Sequence, residues 1–233
     1  HHIVANNFFG KEIHLAEFLS FEEMIYNLND GKIDYAVMAI ENSTAGSIIP
    51  NYALIDEYDI SIVGEYYLQI THNLMALKGQ SLEDIKEVQS HPMALLQCRD
   101  FFKNNSSITL VEEKDTAQIA KKIADNKLKG LGAIASELAC KIYDLEIIKE
   151  NIQTIKQNQT RFVILQNIRP SENKNINKAS LKFELDHKRG SLATILNVLS
   201  DCKLNLTKIQ SMPKIQTPWR YSFFVDVTFD NME

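Results

Sequence analysis

The stretch Asp34-Tyr-Ala-Val-Met-Ala-Ile-Glu-Asn-Ser-Thr-Ala-Gly-Ser47 decides the class of fold. Residues 34–40 form a near-continuous apolar run, the pattern of a strand covered on both faces within a parallel sheet. The polar turn from Glu41 to Ser47 follows a strand end and precedes a helix-like stretch, which is where α/β proteins hold ligands. A plain loop carrying an N-cap explains the turn equally well.

Working outward, the alternation of strand and helix continues on both sides. Upstream, residues 21–29 place Met24, Ile25 and Leu28 on one helical face, and Ile3, Val4, Phe8 and Phe9 read as another. Downstream, a second buried run spans residues 60–70. After the Lys78-Gly79 turn the pattern predicts a strand at 87–89, a helix at 92–102, a strand at 108–111, a helix at 116–126, a strand at 132–135, a helix at 136–143 and a strand at 145–148. Residues 161–165, Arg-Phe-Val-Ile-Leu, close this region as a further buried strand.

Residues 168–178 are polar and aperiodic and carry a proline, so they read as a linker. Beyond them Leu181, Phe183 and Leu185 alternate, and a helix carries Leu192, Ile195, Leu196 and Leu199 on one side. Two more strand-like runs follow at 204–209 and 221–229. This β-α-β-β order is two thirds of a ferredoxin-like unit. A chain of 233 residues has room for such a small domain after a medium one.

Composition removes several classes of function. With 45% hydrophobic and 24% charged residues the chain is neither disordered nor fibrous, and no apolar run is long enough to cross a bilayer. The 30 acidic residues outweigh the 25 basic ones, and no Lys/Arg block alternates with aromatics, so nucleic acid is not an expected partner. Cys98, Cys140 and Cys202 show no C-x-x-C spacing, which fits a reducing cytoplasm better than a disulfide framework or a zinc site. No H-x-x-x-H, paired-carboxylate or G-x-S-x-G arrangement points to metal or triad chemistry.

The remaining polar candidates stand at predicted helix starts. Ser90-His91-Pro92 reads as an N-cap followed by a first-turn proline, with Gln97 about two turns on; Asp115-Thr116 and Ser136 open two further helices. Several such starts around one cleft would suit a small polyanion, and each is also ordinary capping. Arg161 opens a strand whose next four residues are apolar, so its guanidinium must pair with a protein carboxylate or face an anionic ligand. His72 and His91 lie near these segments, and a histidine alone is more often structural.

Taken in order, these segments resemble the prephenate dehydratase family. The resemblance rests on Glu41-Asn-Ser-Thr-Ala-Gly-Ser-Ile48, His72-Asn-Leu74, Ser90-His-Pro-Met-Ala-Leu-Leu-Gln-Cys98, Asp115-Thr-Ala117, Gly132-Ala-Ile-Ala-Ser-Glu-Leu-Ala139 and Asn158-Gln-Thr-Arg-Phe162. Gly190-Ser-Leu-Ala193 and Leu204-Asn-Leu-Thr-Lys-Ile-Gln-Ser-Met-Pro213 look like the signature segments of the ACT regulatory domain that follows in this family.

The resemblance implies a two-lobed, type II periplasmic-binding-protein-like catalytic domain over residues 1–167, the linker 168–178, and an ACT domain over 179–233. Relative to the family, an opening strand and Gly-rich turn are missing before His1, and a closing helix and strand after Glu233. It implies decarboxylating dehydration of prephenate to phenylpyruvate on the route to phenylalanine, with no cofactor or metal. Thr160, Arg161, Asn42, Ser90 and Gln97 would carry catalysis, and Ser43, Thr44, Gly46, His91, Thr116 and Phe162 would line the substrate. Thr160 would donate a hydrogen bond to the leaving C4 oxygen, while Glu41 would be structural.

Feedback by phenylalanine is implied at Gly190, Ser191, Leu192 and Ala193 of one subunit and Asn205, Leu206, Gln210, Ser211, Met212 and Pro213 of its neighbour, so a homodimer or homotetramer is expected. Gln210 and Met212 stand where the family has Glu and Arg, Met93 where it has Gln, and Asp115 where a hydroxyl residue is common. Two alternatives stay open: an arogenate dehydratase, with the same motifs, and a non-catalytic small-molecule binder of the same fold.

Overall fold

The computed structural model describes residues 1–113, 116–167, 176–186, 188–214, 217 and 220–230. In chain order the first elements are α1 (His2–Phe9), α2 (Phe21–Asn29), β1 (Ala36–Asn42), β2 (Gly46–Ser47), α3 (Ile49–Glu57), β3 (Ser61–Gln69), β4 (Asn73–Ala76), β5 (Glu87–Ser90), α4 (Pro92–Gln97) and α5 (Arg99–Lys103). There follow β6 (Thr109–Glu112), α6 (Thr116–Asn126), β7 (Leu131–Ala135), α7 (Glu137–Ile142), β8 (Glu146–Lys149), β9 (Gln159–Gln166), β10 (Lys178–Glu184), α8 (Ser191–Asp201), β11 (Asn205–Pro213) and β12 (Tyr221–Thr228). The described residues make a mixed α/β fold with three sheets, of order β2-β1-β9-β3, β6-β5-β7-β4-β8 and β10-β12-β11.

The chain divides into two compact units, the first made of His1–Leu15, Ala39–Gly46 and Tyr66–Phe162. In its five-stranded sheet β5 runs parallel to β6 and β7, whereas β4 is antiparallel to β7 and β8. Strand alternation divides the core into two layers. Leu74 and Ala76 join Val88, Leu95, Phe102 and Ile134 on one face, and Met75 joins Ile119, Ile123, Ala133 and Ala135 on the other. Gly132 of β7 has no room for more: a Cβ there would lie 2.9 Å from Leu74 Cδ1 and 3.2 Å from Val88 Cγ2.

The second unit comprises Ala16–Met38, Ser47–Glu65 and Val163–Glu233. Its antiparallel three-stranded sheet packs Val225 and Val227 of β12 against Leu199 of α8, with Phe183, Ile195, Leu196, Leu204 and Leu206 around them. The opposite face meets residues from far earlier in the chain. Phe224 lies 5.7 Å from the Tyr52 ring of α3, Lys182 pairs with Asp56 at 2.6 Å, and Lys178 pairs with Glu65 at 2.8 Å. This unit therefore gathers residues from both sides of the expected linker.

Several expectations need correction. The single helix expected at 92–102 breaks at Cys98, whose φ of −103° and ψ of 12° leave the helical region while its side chain is fully buried. Residues 73–76 form β4, although four residues without clear alternation carry no strand signal. Ser90 does not cap α4: it ends β5, and the His91 ring accepts from the Met93 N–H at 3.2 Å. In α1 the buried residues are Val4 and Ala5, whereas Phe8 is exposed. Lys178 belongs to β10 rather than to a linker, of which residues 168–175 lie outside the described residues, as does Asp115.

Candidate active site

Asn42, the last residue of β1, organises a polar cluster within the first unit. Its Oδ1 accepts the backbone N–H of Thr44 at 3.0 Å and of Ala45 at 2.9 Å, together with the Thr44 hydroxyl at 2.7 Å. This side chain-to-backbone closure is a turn that Asn makes readily. Gly46, at φ 83°, occupies the left-handed region that a residue without Cβ enters freely. Ser43 ties the turn to β9, donating its N–H to the Gln159 carbonyl at 2.8 Å and accepting the Gln159 N–H on its hydroxyl at 2.9 Å.

On its other side Asn42 Nδ2 donates to Asn158 Oδ1 at 2.7 Å, to Thr160 Oγ1 at 3.0 Å and to the Gln159 carbonyl at 3.2 Å. Asn158 is 1% exposed, and its Nδ2 donates to Gln97 Oε1 at 2.9 Å. His72 Nε2 meets the same oxygen at 2.7 Å, and Gln97 Nε2 returns to Thr44 Oγ1 at 2.8 Å. Six side chains from four separate parts of the chain thus share one network.

The network fixes which way its three amides and the His72 ring are turned. Backbone N–H groups can only donate, so the Asn42 atom facing Thr44 and Ala45 is its oxygen, and its amide nitrogen faces Asn158. The Asn158 amide is then oriented nitrogen toward Gln97, which leaves Gln97 Oε1 as acceptor and places a proton on His72 Nε2. Thr44 accepts from Gln97 and spends its own proton on Asn42. Thr160 also accepts, from Asn42, but its proton has no acceptor among the described residues. A buried hydroxyl, held by one neighbour and free to donate, is the functional group this arrangement presents.

Electrostatics separate the other candidates. Arg161 is 4% exposed and its Nη1 lies 3.9 Å from Glu41 Oε2, so a protein carboxylate stands beside the buried guanidinium. Burial pushes the Cys98 thiol up to about 12, which keeps this neighbour of Gln97 protonated and unreactive. Among the described residues no three His, Cys, Asp or Glu side chains are placed to hold a metal ion.

Not all the expected site residues join the cluster. Ser90 is fully buried and donates to the Ile134 carbonyl at 3.2 Å, which tethers β5 to β7 and commits its proton to the backbone. Phe162 is buried with its ring edge-on to His1 at 5.2 Å. His91 is exposed and caps α4, and the Thr116 side chain lies outside the described residues. Gly190, at φ 83°, precedes α8, which opens with Ser191, Leu192 and Ala193. Asn205, Leu206, Gln210, Ser211, Met212 and Pro213 all lie on β11.

Asn158 and His72 are the members that sequence reasoning left unassigned. A buried amide two positions before Thr160 has no signature of its own, and His72 becomes informative only through Gln97.

Burial lowers the His72 pKa, against the opposing effect of its bond with Gln97. A group depressed in this way stabilises the fold fully above its unfolded value of about 6.5 and loses that contribution as pH falls through the folded value. Urea midpoints measured from about pH 7 down to pH 5 are therefore expected to fall more steeply for wild type than for His72→Gln. Parallel curves would show that His72 is not the titrating group.

The family model and the curated relatives point to one family. The model for prephenate dehydratase matches residues 1–169. A bifunctional chorismate mutase/prephenate dehydratase of Buchnera aphidicola is 34% identical over 89% of this chain and 54% of its own length. An Arabidopsis thaliana chloroplastic protein named arogenate dehydratase/prephenate dehydratase 2 is 41% identical over 83% of this chain and 53% of its own. The chain spans about half the length of these curated relatives.

Among solved structures, GqqA, described as a novel type of quorum quenching acylase, aligns with a TM-score of 0.86 at 26% identity, over 98% of this chain and 83% of that one. Prephenate dehydratase of Arthrobacter aurescens in complex with L-Phe aligns at 0.80 and 25% identity, over 91% and 71% of the two chains.

Proposed function

The chain belongs to the prephenate dehydratase family, and on that premise we propose that it converts prephenate to phenylpyruvate, carbon dioxide and water at the Asn42–Thr160 cluster. The observation that carries the proposal is the Thr160 proton, which has no acceptor among the described residues. Prephenate must lose a ring carboxylate and its C4 hydroxyl together. The carboxylate leaves as carbon dioxide, its bonding electrons enter the ring, and the C4–O bond breaks to release hydroxide, which takes a proton from solvent to become water.

A threonine hydroxyl is too weak an acid to protonate that oxygen in advance. It strengthens its hydrogen bond as charge builds there, and that differential effect is what speeds a reaction. The cluster around it is made of neutral amides and hydroxyls. It orients without adding a cation, and a cation beside the departing carboxylate would oppose its loss.

Three further elements belong to this reading. The catalytic domain over residues 1–167 is two-lobed, in the manner of type II periplasmic binding proteins. The region over 179–233 is an ACT domain, supported by its β-α-β-β order and the sheet order β10-β12-β11. Phenylalanine binds between the start of α8 in one subunit and β11 of the next, in a cytoplasmic dimer or tetramer; the L-Phe complex of the Arthrobacter protein supports an effector of that kind.

The likeness to the acylase points to different chemistry. Amide hydrolysis through a hydroxyl needs a base beside it, and the His72 ring is bonded to Gln97 rather than to any hydroxyl. The test sets prephenate, arogenate and an N-acyl homoserine lactone side by side with the intact protein. Prephenate is expected to give the highest kcat/KM; higher turnover of arogenate would reassign the substrate, and amide cleavage without phenylpyruvate would overturn the reaction class.

A further inference from the structure

Strand β11 contains a register shift between Leu206 and Lys208 in its pairing with β12. Simple alternation would turn Leu206 and Lys208 to one face of the sheet. Leu206 packs in the apolar layer with Leu199 of α8. The extra residue, Thr207, is pinned by its hydroxyl to the Asp226 carbonyl at 3.1 Å, and Lys208 emerges on the opposite face. A bulge that re-aims one side chain in this way is usually put to use.

The re-aimed ammonium donates to Ser47 Oγ at 2.9 Å and lies 5.4 Å from the centre of the Tyr52 ring. Ser47 is the last residue of the turn that begins at Asn42. It forms β2 with Gly46, next to β1 in the sheet, and only Ala45 and Gly46 separate it from Thr44 of the polar cluster. A charged hydrogen bond, held partly away from water and backed by an aromatic face, is among the stronger surface-to-loop ties a lysine makes.

We propose that Lys208 is a positioning residue for the Asn42–Ser47 turn, and the link through which phenylalanine bound along β11 changes turnover. The inference rests on the function proposed above, since it takes β11 as the effector strand. The residues expected to hold the effector, Asn205 to Leu206 and Gln210 to Pro213, flank Lys208 on both sides along the same strand. An effector that shifts β11 must either break the Lys208–Ser47 bond or carry Ser47 with it. Either event disturbs the turn whose backbone N–H groups orient Asn42. An effector acts only by binding the two arrangements unequally, and this bond differs between them.

The experiment measures prephenate turnover, phenylalanine inhibition and phenylalanine binding by calorimetry on the intact wild type, Lys208→Met, Ser47→Ala and the double variant. Methionine keeps the length and apolar contact of the side chain while removing donor and charge. Both single variants are expected to bind phenylalanine within about threefold of wild type, yet at saturating phenylalanine to slow turnover by a factor about tenfold smaller than in wild type. The double variant is expected to be no more uncoupled than either single one, since all three lose the same bond.

Wild-type inhibition in Lys208→Met, or additive effects in the double variant, would overturn the inference. A wild type that turns over no prephenate, or ignores phenylalanine, would instead overturn the function on which it rests.

Discussion

Thr160→Val is expected to lower kcat for prephenate by about 10²- to 10³-fold with little change in KM. Valine matches threonine in shape and suits a strand, so β9 and the buried run after it should persist. Asn42 Nδ2 loses one of its three acceptors and keeps the Asn158 and Gln159 oxygens. What disappears is the Thr160 hydroxyl proton, which has no acceptor among the described residues. Its bond to the leaving oxygen is worth most when that oxygen is nearly hydroxide, so the loss falls on kcat rather than on binding. Thr160→Ser, which retains the hydroxyl, is expected to keep at least about a tenth of the activity. Steady-state phenylpyruvate formation with far-UV circular dichroism on each variant checks both expectations, and a valine variant within a few-fold of wild type would remove Thr160 from the chemistry.

Asn42→Asp should have an effect of similar size for a different reason. The substitution keeps the acceptor that closes the Thr44 and Ala45 turn, so local folding is little affected. It replaces the donor facing Asn158 Oδ1, 2.7 Å away, and Thr160 Oγ1, 3.0 Å away, with a carboxylate oxygen. Asn158 must then turn, which sets its amide against Gln97 and reverses the network that orients His72. Thr160 meets an anionic acceptor and donates its proton there instead of to the substrate. On the function proposed above, the new charge also stands beside a dicarboxylate substrate and repels it.

A fall in kcat/KM of about 10²-fold or more is therefore expected, with the larger share in kcat below saturation effects on KM. Raising pH across about 5 to 8 should not restore it, because the new carboxylate is ionised throughout. Full activity in this variant would mean that the proton directions in the cluster do not matter to the reaction.

Much of this site could be read from sequence, and the limits have physical causes. Residues 34–47 mark a buried strand followed by a polar turn because β1 is buried from Ala36 to Ile40 and its turn is closed by a short amide side chain. Thr160 and Gln97 could be named from motif order. The proton directions could not, since they depend on hydrogen bonds between residues as distant as Asn42 and Asn158. Ser90 shows the opposite failure. A serine before His-Pro looks like a cap, yet β5 runs one residue further than its apolar pattern and draws the hydroxyl into the sheet.

Arg161 left two readings open because a charge beside four apolar residues needs a partner of unknown origin, and only coordinates reveal Glu41. Lys208 gave no signal at all. In sequence it continues an alternating strand, and the bulge that reverses its direction depends on pairing with β12.

The most direct measurement is product stoichiometry with the intact wild-type protein and prephenate, following phenylpyruvate and carbon dioxide together. Equimolar release of both, saturable in prephenate, is the predicted result. Binding of prephenate with release of neither product, or carbon dioxide without phenylpyruvate, would contradict the account.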